Sequence, residues 1–263
     1  MPFKIAFKIA TWNVNSLKVR LPQVFDYMRD TDTDVLCLQE IKMTDEAFPI
    51  DAFTEAGLHV HFSGQKTYNG VAIISRVAQT EVQKNLPNFQ DDQQRLIAST
   101  INGVRVINVY VVNGQAPDTD KFSYKMNWLK ALRDYVADEM TRHARVVVLG
   151  DFNIAPTDAD VHNPDKWLGC NLVSPAERQA LQELIDLGLN DAFRLFEQPE
   201  KSFSWWDYRQ MAFRRNAGLR IDLILLSQPL ADACVECVID KQPRKHEQPS
   251  DHAPVCATLE LST

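Results

Sequence analysis

The stretch RLIASTINGVRVINVYV (Arg95–Val111) discriminates between the fold classes open to this chain. Two runs rich in apolar and β-branched residues, Arg95–Ile101 and Val104–Val111, flank the dipeptide Asn102-Gly103. Asn-Gly in a two-residue loop favours a β-hairpin, because both residues readily adopt positive φ. A hairpin makes the two strands antiparallel, so the stretch excludes a purely parallel, doubly wound sheet.

Short apolar runs alternate with longer amphipathic stretches on both sides of this hairpin. Apolar residues at helical spacing predict helices at Leu17–Met28, with Ser16 as N-cap, and at Lys121–Met140 and Pro175–Leu187. Further strands are predicted at Ile5–Trp12, Val35–Gln39, Gly70–Ser75, Arg145–Leu149, Leu219–Leu226, Cys234–Ile239 and Pro254–Leu261. The pattern predicts an α/β fold, a four-layered α/β sandwich in which helices flank two packed mixed β-sheets. With no break in composition, we expect one catalytic domain spanning residues 1–263.

Length, composition and charge exclude several classes of protein. The 263 residues are 45% hydrophobic and 24% charged, which is globular usage and excludes intrinsic disorder. No apolar run approaches the ~20 residues that span a bilayer, so we expect no membrane association. Lys4 and Lys8 interrupt the region where a signal peptide needs an unbroken apolar run. We therefore expect a cytoplasmic protein, and a monomer, because no exposed apolar stripe stands out.

Cysteine usage and net charge leave two questions open. Five cysteines are an odd number, which argues against a disulfide framework and favours thiols in apolar segments. The formal net charge is −7. Either the chain does not bind nucleic acid, or it does so through a local basic patch beside an acidic metal centre.

Polar side chains collect where the predicted strands end. Taken one at a time, most have an ordinary explanation as turn formers or helix caps. Asp222 is harder to dismiss, because it interrupts an apolar strand, where a carboxylate must be paired or bind a metal. The whole set is Asn13, Asn15, Gln39, Glu40, Tyr110, Asn113, Asp151, Asn153, Asp222, Asp251 and His252.

These residue types suit one kind of chemistry. Hard oxygen ligands such as Glu40 and Asp251 suit Mg²⁺ or Mn²⁺ rather than zinc. A histidine held by a carboxylate suits acid–base catalysis, or stabilisation of charge at a phosphate. Amides such as Asn13 and Asn153 can orient water or phosphate oxygens without adding negative charge. The set therefore predicts metal-assisted hydrolysis of a phosphodiester.

The chain resembles the exonuclease III family of abasic-site endonucleases. The segments that carry the resemblance are TWNVNSL (Thr11–Leu17), LQEIK (Leu38–Lys42), NVYVVNG (Asn108–Gly114), GDFNIAP (Gly150–Pro156), GLRIDLIL (Gly218–Leu225) and PSDHAPV (Pro249–Val255). GDFN and SDH alone would indicate only the wider endonuclease/exonuclease/phosphatase superfamily, but FSWWDYR (Phe203–Arg209) with GLRID points to its DNA-repair branch. The resemblance implies hydrolysis of the phosphodiester 5′ to abasic sites in double-stranded DNA, leaving a 3′-hydroxyl. It also implies 3′–5′ exonuclease activity and the cleaning of blocked 3′ ends.

The same resemblance assigns roles to the strand-end residues. Glu40 is the expected principal ligand of Mg²⁺, with Mn²⁺ as an alternative. The complete expected metal set is Glu40, Asn13, Asp251 and Asp151. The expected catalytic set is Asp151, which aligns or deprotonates water, Asn153, which helps to hold that water, His252 oriented by Asp222, Tyr110 at the phosphate or leaving oxygen, and Asn13.

Substrate recognition is also expected from the resemblance. An abasic sugar lacks a base, so a tight apolar slot can admit it and reject a normal nucleotide; the slot is expected at Trp205, Leu219 and Ile221. Expected DNA contacts are Lys66, Tyr68, Asn69, Asn113, Lys121, Lys125, Arg209 and Arg220.

Two alternatives remain. The same fold could carry a phosphatase or phosphodiesterase acting on inositol phosphates or phospholipids, which GDFN and SDH permit and FSWWDYR argues against. A catalytically inactive binding protein is the other, but Glu40, Asp151, Asn153 and His252 are all retained.

Overall fold

The computed structural model describes residues 4–262. Its six helices are Leu17–Thr31 (α1), Ile50–Glu55 (α2), Asp120–Arg142 (α3), Pro164–Trp167 (α4), Pro175–Ile185 (α5) and Gln228–Ala233 (α6). Its strands are Lys4–Asn13 (β1), Val35–Gln39 (β2), His59–Ser63 (β3), Val71–Ser75 (β4), Thr80–Lys84 (β5), Leu96–Ile101 (β6), Val104–Tyr110 (β7), Val146–Asp151 (β8), Leu189–Asp191 (β9), Asp222–Ser227 (β10), Cys234–Ile239 (β11) and Val255–Ser262 (β12).

The strands form two six-stranded mixed sheets. The first has the order β11-β12-β1-β2-β4-β3 and the second β5-β6-β7-β8-β10-β9. Each sheet contains one parallel pair, β1 with β2 and β7 with β8, among antiparallel neighbours. β6 and β7 form the predicted hairpin, in which Ile101 pairs with Val104 around Asn102-Gly103, and both turn residues have positive φ. The predicted mixed architecture is confirmed.

Successive residues of the strands serve different layers, because side chains alternate between the two faces of a sheet. Ile9 of β1 packs in the core between the sheets with Val147 of β8, whereas the next residue, Ala10, packs outward among the side chains of α1. On the outer face of the second sheet, Val148 packs with Leu132 of α3. The two sheets share the central core.

Two buried amides join the sheets beneath the edge where the polar strand ends lie. Gln39 of β2 donates to Asn108 Oδ1 of β7 at 2.7 Å, and Asn108 Nδ2 donates to the carbonyls of Leu38 and Ala72 at 2.9 Å. A buried amide is expensive unless it is hydrogen-bonded, so this arrangement fixes how one sheet sits on the other.

The helices and strands predicted from the sequence occur in the structure. The three predicted helices correspond to α1, α3 and α5, and the buried strands lie where they were predicted, with no end moved by more than three residues. The short helices α2, α4 and α6 were not predicted. β3, β5 and β9 were missed, because all three are edge strands with little buried apolar sequence, and β9 has only 3 residues. The N-cap role of Ser16 was wrong: its φ is 94° and its side chain makes no cap hydrogen bond.

All five cysteines are free, with Cys37 and Cys237 buried and Cys170 exposed. Within residues 4–262, none of the helices has both the length and the apolar character required to cross a membrane.

Candidate active site

The predicted strand-end residues meet at one edge of the sandwich, where both sheets contribute. Asn13 ends β1 and Glu40 follows β2 in the first sheet, and Asp251-His252 precedes β12. Tyr110 ends β7, Asp151 ends β8 and Asp222 begins β10 in the second sheet. Rigid strands therefore hold each polar side chain at a fixed place on this edge.

Asn13 links the acidic residues of the two sheets. Its fully buried amide Nδ2 donates to Glu40 Oε1 and to Asp151 Oδ2, both at 2.9 Å. Its Oδ1 accepts from the backbone N–H of Asn15 at 3.0 Å. In this arrangement Asn13 offers its N–H groups, rather than its oxygen, to the two carboxylates and so relieves their mutual repulsion.

Asp151 is held in place by the residue two positions later. The backbone N–H of Asn153 donates to Asp151 Oδ1 at 2.9 Å. Asn153 is itself fixed, because its Nδ2 donates to the carbonyl of Val111 at 3.0 Å and its Oδ1 accepts from Asn113 at 3.1 Å. Both residues are buried, so the Asp151 carboxylate has one defined orientation.

A histidine–aspartate pair lies on the other side of Asp151. His252 Nδ1 contacts Asp222 Oδ2 at 2.8 Å, and Ser204 donates to the same oxygen at 2.6 Å. The opposite ring nitrogen, Nε2, is 3.7 Å from Asp151 Oδ2. The pair therefore directs His252 Nε2 toward the Asp151 carboxylate.

Asp251 and Lys42 complete the acidic edge. Asp251 accepts from Asn15 Nδ2 and from the indole N–H of Trp205, both at 3.0 Å. Lys42 Nζ is 2.8 Å from Glu40 Oε2 and also donates to Asn15. The Lys42 ammonium thus balances part of the charge of Glu40, and Asn15 connects Lys42 to Asp251.

Burial and neighbouring charges set the protonation states. Burial raises the pKa of Asp151 to about 7, with His252 opposing the shift. Burial lowers the pKa of His252, but Asp222 and Asp151 outweigh it and raise it to about 10. Burial raises the pKa of Tyr110 well above its usual value, and Glu40 and Asp151 add to that shift. His252 is therefore a cation at neutral pH, and Tyr110 is a neutral phenol.

Glu40 stays ionised for a different reason. Burial raises the pKa of Glu40, but the Lys42 ammonium and the Asn13 amide together hold it below its usual value. Its side chain is 18% exposed, so one face remains open to solvent. Carboxylate oxygens of Glu40, Asp251 and Asp151, with amides between them, form a hard donor set that fits a Mg²⁺-like cation. Within residues 4–262, the acidic and histidine side chains whose ligand atoms all lie within 4.8 Å of one another are Asp151, Asp222 and His252, and the predicted metal residues Glu40 and Asp251 are not part of that close group.

A cavity of about 600 Å³ opens next to Tyr110. Three of the predicted DNA contacts, Tyr68, Asn113 and Lys121, are exposed along it. Asn69 also lines it but is only 6% exposed, since its amide binds the side chains of Gln65 and Gln93. The predicted contacts Lys66 and Arg209 are exposed elsewhere on the surface, and Arg209 forms a two-point ion pair with Asp207.

Two predicted DNA contacts were wrong, because their charged groups lie inside the protein. The Arg220 side chain is 1% exposed and is held by Asp160 at 2.6 Å and by Asp191 at 2.7 Å. The Lys125 side chain is fully buried against Glu177. Neither cation can reach a DNA phosphate without disrupting the fold.

The predicted apolar slot has one accessible member. Trp205 is half-buried, whereas Leu219 and Ile221 are 0% and 1% exposed beneath it. Val161, Leu172 and Val173 belong to the same cluster, and Trp167 packs against it. Leu219 and Ile221 therefore support Trp205 from below and do not form an open wall.

Sequence reasoning missed several residues that hold the site together. Lys42, Ser204 and Ser250 were not assigned roles, although Ser250 Oγ donates to the Asn13 carbonyl at 2.6 Å and accepts from the His252 N–H at 3.2 Å. Lys42 and Ser250 stand inside the quoted LQEIK and PSDHAPV segments, so proximity to Glu40 and His252 was the available signal.

The fold and the site define a phosphate-ester hydrolase built on two mixed sheets. Residues 10–252 match the model of the Endonuclease/Exonuclease/phosphatase family, and the chain belongs to that family. It is 37% identical to exodeoxyribonuclease III of Haemophilus influenzae, over 95% of this chain and 98% of that protein.

Solved structures give the same picture. The 3′ phosphatase NExo from Neisseria, bound to a product DNA hairpin, is 50% identical, with a TM-score of 0.96 over 97% of this chain and 100% of that chain. An AP endonuclease from Archaeoglobus fulgidus is 39% identical, with a TM-score of 0.93 over the same shares. The predicted resemblance to the exonuclease III family and the predicted class, a hydrolytic nuclease, are confirmed.

Proposed function

We propose that this protein is a Mg²⁺-dependent DNA repair nuclease that hydrolyses the phosphodiester 5′ to abasic sites in duplex DNA. The same centre also removes blocked 3′ ends and carries 3′–5′ exonuclease activity. The observation that carries the proposal is Asp151 Oδ2, which lies 2.9 Å from Asn13 and 3.7 Å from the His252 imidazole. A water-activating carboxylate beside a cationic ring is the pair that phosphodiester hydrolysis requires.

Asp151 is the group that activates water. Its carboxylate is held in one orientation by the Asn153 N–H and lies beside His252, where it can align an attacking water and accept its proton. Tyr110 is unsuited to that task because its raised pKa keeps it a phenol, which donates a hydrogen bond instead. The water oxygen bonds to phosphorus, the bond to the 3′-oxygen breaks, and the 3′-oxygen takes up a proton.

His252 stabilises the charge that builds on the phosphate. Asp222 keeps it protonated and fixes its ring, so its Nε2–H meets a non-bridging oxygen as a fixed donor. Glu40, Asp251 and Asp151 would hold Mg²⁺, with Mn²⁺ as a substitute, and Asn13 would keep the carboxylates apart. A bound divalent cation would supply neutralisation of negative charge on the phosphate and the leaving oxygen.

Lesion and strand recognition rest on the surface around the centre. Trp205, which packs on Leu219 and Ile221, offers an apolar contact beside Asp251 for a sugar that lacks a nucleobase. Tyr68, Asn69, Asn113 and Lys121 at the cavity, with Lys66 and Arg209, provide contacts for a duplex. A cytosolic monomer remains our prediction for the state in which it works.

One cleavage experiment tests the proposal. Duplex DNA with a single abasic analogue, a nicked duplex with a 3′-phosphate and a soluble inositol phosphate are each incubated with the protein and Mg²⁺, then with EDTA. We expect incision 5′ to the lesion and release of the 3′-phosphate, both abolished by EDTA and both slowed at least about 10²-fold by Asp151→Asn. Turnover of the inositol phosphate without DNA cleavage would favour the alternative substrate class. Absence of all three activities would favour a binding protein.

A further inference from the structure

A buried ammonium group lies behind the reacting centre. Lys125 of α3 is 0% exposed, and its Nζ donates to the carbonyl oxygen of Asn153 at 2.8 Å and of Asn113 at 3.3 Å. Its third partner is the Glu177 carboxylate of α5, which is also 0% exposed. An ammonium has three N–H donors, and here each one points at a different segment of the chain.

Glu177 extends the connection to a third loop. Its Oε1 accepts from the backbone N–H of Leu172 at 3.0 Å. Its Oε2 accepts from the backbone and the hydroxyl of Ser174, at 3.0 and 2.6 Å. Leu172 belongs to the apolar cluster beneath Trp205. The Lys125–Glu177 ion pair thus fixes the loops that follow β7 and β8 and the loop that precedes α5.

The backbone that Lys125 holds is the backbone that orients Asp151. Asn153 has a φ of 49°, uncommon for a residue other than glycine, and its N–H donates to Asp151. Asn113 donates to the Asn153 side chain, so both carbonyls bound by Lys125 belong to residues of one hydrogen-bonded unit. The loop also packs tightly on the lysine, because a Cβ added at Gly114 would lie 2.9 Å from Lys125 Cδ.

Stability alone does not explain this arrangement. Burial lowers the pKa of Lys125 and Glu177 opposes the shift, so the ion pair offsets a large desolvation cost. Apolar residues of similar volume often stabilise a fold as well as a buried ion pair does. What apolar residues cannot supply is directional bonds to two carbonyl oxygens of the active-site loops.

We propose that Lys125, with Glu177, is a positioning residue that acts through Asn153 to hold the Asp151 carboxylate in its productive orientation. The proposal rests on the function proposed above, because it assigns a task within that hydrolysis. It replaces the direct DNA contact that the sequence predicted for Lys125.

A double-mutant cycle tests this role. We expect Lys125→Met to lower kcat on the abasic duplex about 10- to 100-fold in the natural background, as displaced catalytic groups do. We expect Lys125→Met to lower kcat by less than about twofold in the Asp151→Asn background, because the carboxylate that Lys125 positions is already absent there. An equal fall in both backgrounds, or an unchanged kcat, would overturn the proposal.

Arg105→Met is the matched control. It removes another buried ion pair, Arg105–Glu139, that also reaches α3 but joins it to the start of β7, away from the centre. We expect it to lower stability and leave kcat unchanged. If Arg105→Met lowered kcat as much as Lys125→Met does, lost stability would explain the effect of Lys125→Met, and the proposal would be overturned.

A readout independent of activity separates this proposal from the proposed function. We expect the amide NMR resonances of Asn113 and Asn153 to shift in Lys125→Met and to stay in place in Arg105→Met. Unmoved resonances would contradict the positioning role even in an active enzyme. If the unmodified protein cleaves no DNA, the proposed function fails while the resonances still decide the role of Lys125. If Lys125→Met is not recovered folded, Glu177→Gln is read by the same criteria.

Discussion

The reacting centre and the surrounding surface are built on different principles. In the centre, Asn13, Asp151 and His252 are buried and hydrogen-bonded on several sides. At the surface, Lys66, Tyr68 and Lys121 are exposed and stand on loops or the first turn of α3. Chemistry here therefore depends on rigid strand ends, whereas DNA contact depends on separate side chains with small individual effects.

The largest effect is expected from Asp151→Asn, which keeps the shape and removes the proton acceptor. We expect kcat to fall about 10²- to 10⁴-fold, the range for loss of a positioned base. Rapid-quench cleavage of the abasic duplex measures it, with Asp158→Asn as control, because that exposed carboxylate forms a surface ion pair with Arg178. Undiminished cleavage by Asp151→Asn would remove Asp151 from the mechanism.

Arg220→Met tests a cation that the sequence misplaced on the DNA-binding surface. Breaking its buried pairs leaves Asp160 and Asp191 without their main partner, which should cost about 3–5 kcal/mol in the free energy of unfolding. Denaturant titration measures that loss, while DNA affinity measured on the folded protein should stay unchanged. Weakened DNA binding with unchanged stability would restore Arg220 as a DNA contact.

His252→Gln should slow the reaction about 10²-fold or more, because one fixed donor to the phosphate is lost. The effect should appear in kcat and leave KM for DNA nearly unchanged. His59→Gln, on the exposed edge strand β3, is the control and should have no effect. A change confined to KM would place His252 in ground-state binding.

The histidine–aspartate pair also predicts how stability depends on pH without metal. The folded pKa of His252, about 10, lies above its usual 6.5, so the stability that it contributes is present below pH 6.5. That contribution is lost as the pH rises through about 10. We expect the stability difference between the natural protein and His252→Gln to shrink over this window in denaturant titrations with EDTA. A stability difference between the two proteins that grows with pH would contradict a raised pKa for His252.

The smallest effect is expected at the surface. Lys121→Gln should raise KM for DNA a few-fold and reduce the slope of log affinity against log salt by about 1, with kcat unchanged. Lys130→Gln, also exposed on α3 but in a groove between α3 and α5, is the matched control. An equal effect of both variants would indicate diffuse charge attraction rather than a contact at the cavity.

The contrast between centre and surface also explains what could be predicted from the sequence. Strand ends carry their own signal, so Asn13, Glu40, Asp151, Asp222 and His252 could be identified from the order of residues alone. Charge alone does not report burial: the partner of Lys125 lies 52 residues away and that of Arg220 lies 60 residues away. Edge strands such as β5 were missed because their pattern is polar and exposed. Long-range pairing of charges is a property of the fold and has no local sequence signature.

Incision of the abasic duplex in ¹⁸O-labelled water asks whether a water molecule attacks the phosphorus, as the role of Asp151 requires. We predict a 3′-hydroxyl on the upstream fragment and one labelled oxygen on the 5′-phosphate of the abasic fragment, both formed at least about 10²-fold more slowly by Asp151→Asn. An unlabelled phosphate together with an unsaturated sugar at the upstream 3′ end would show elimination instead of water attack. That result would contradict hydrolysis at this centre.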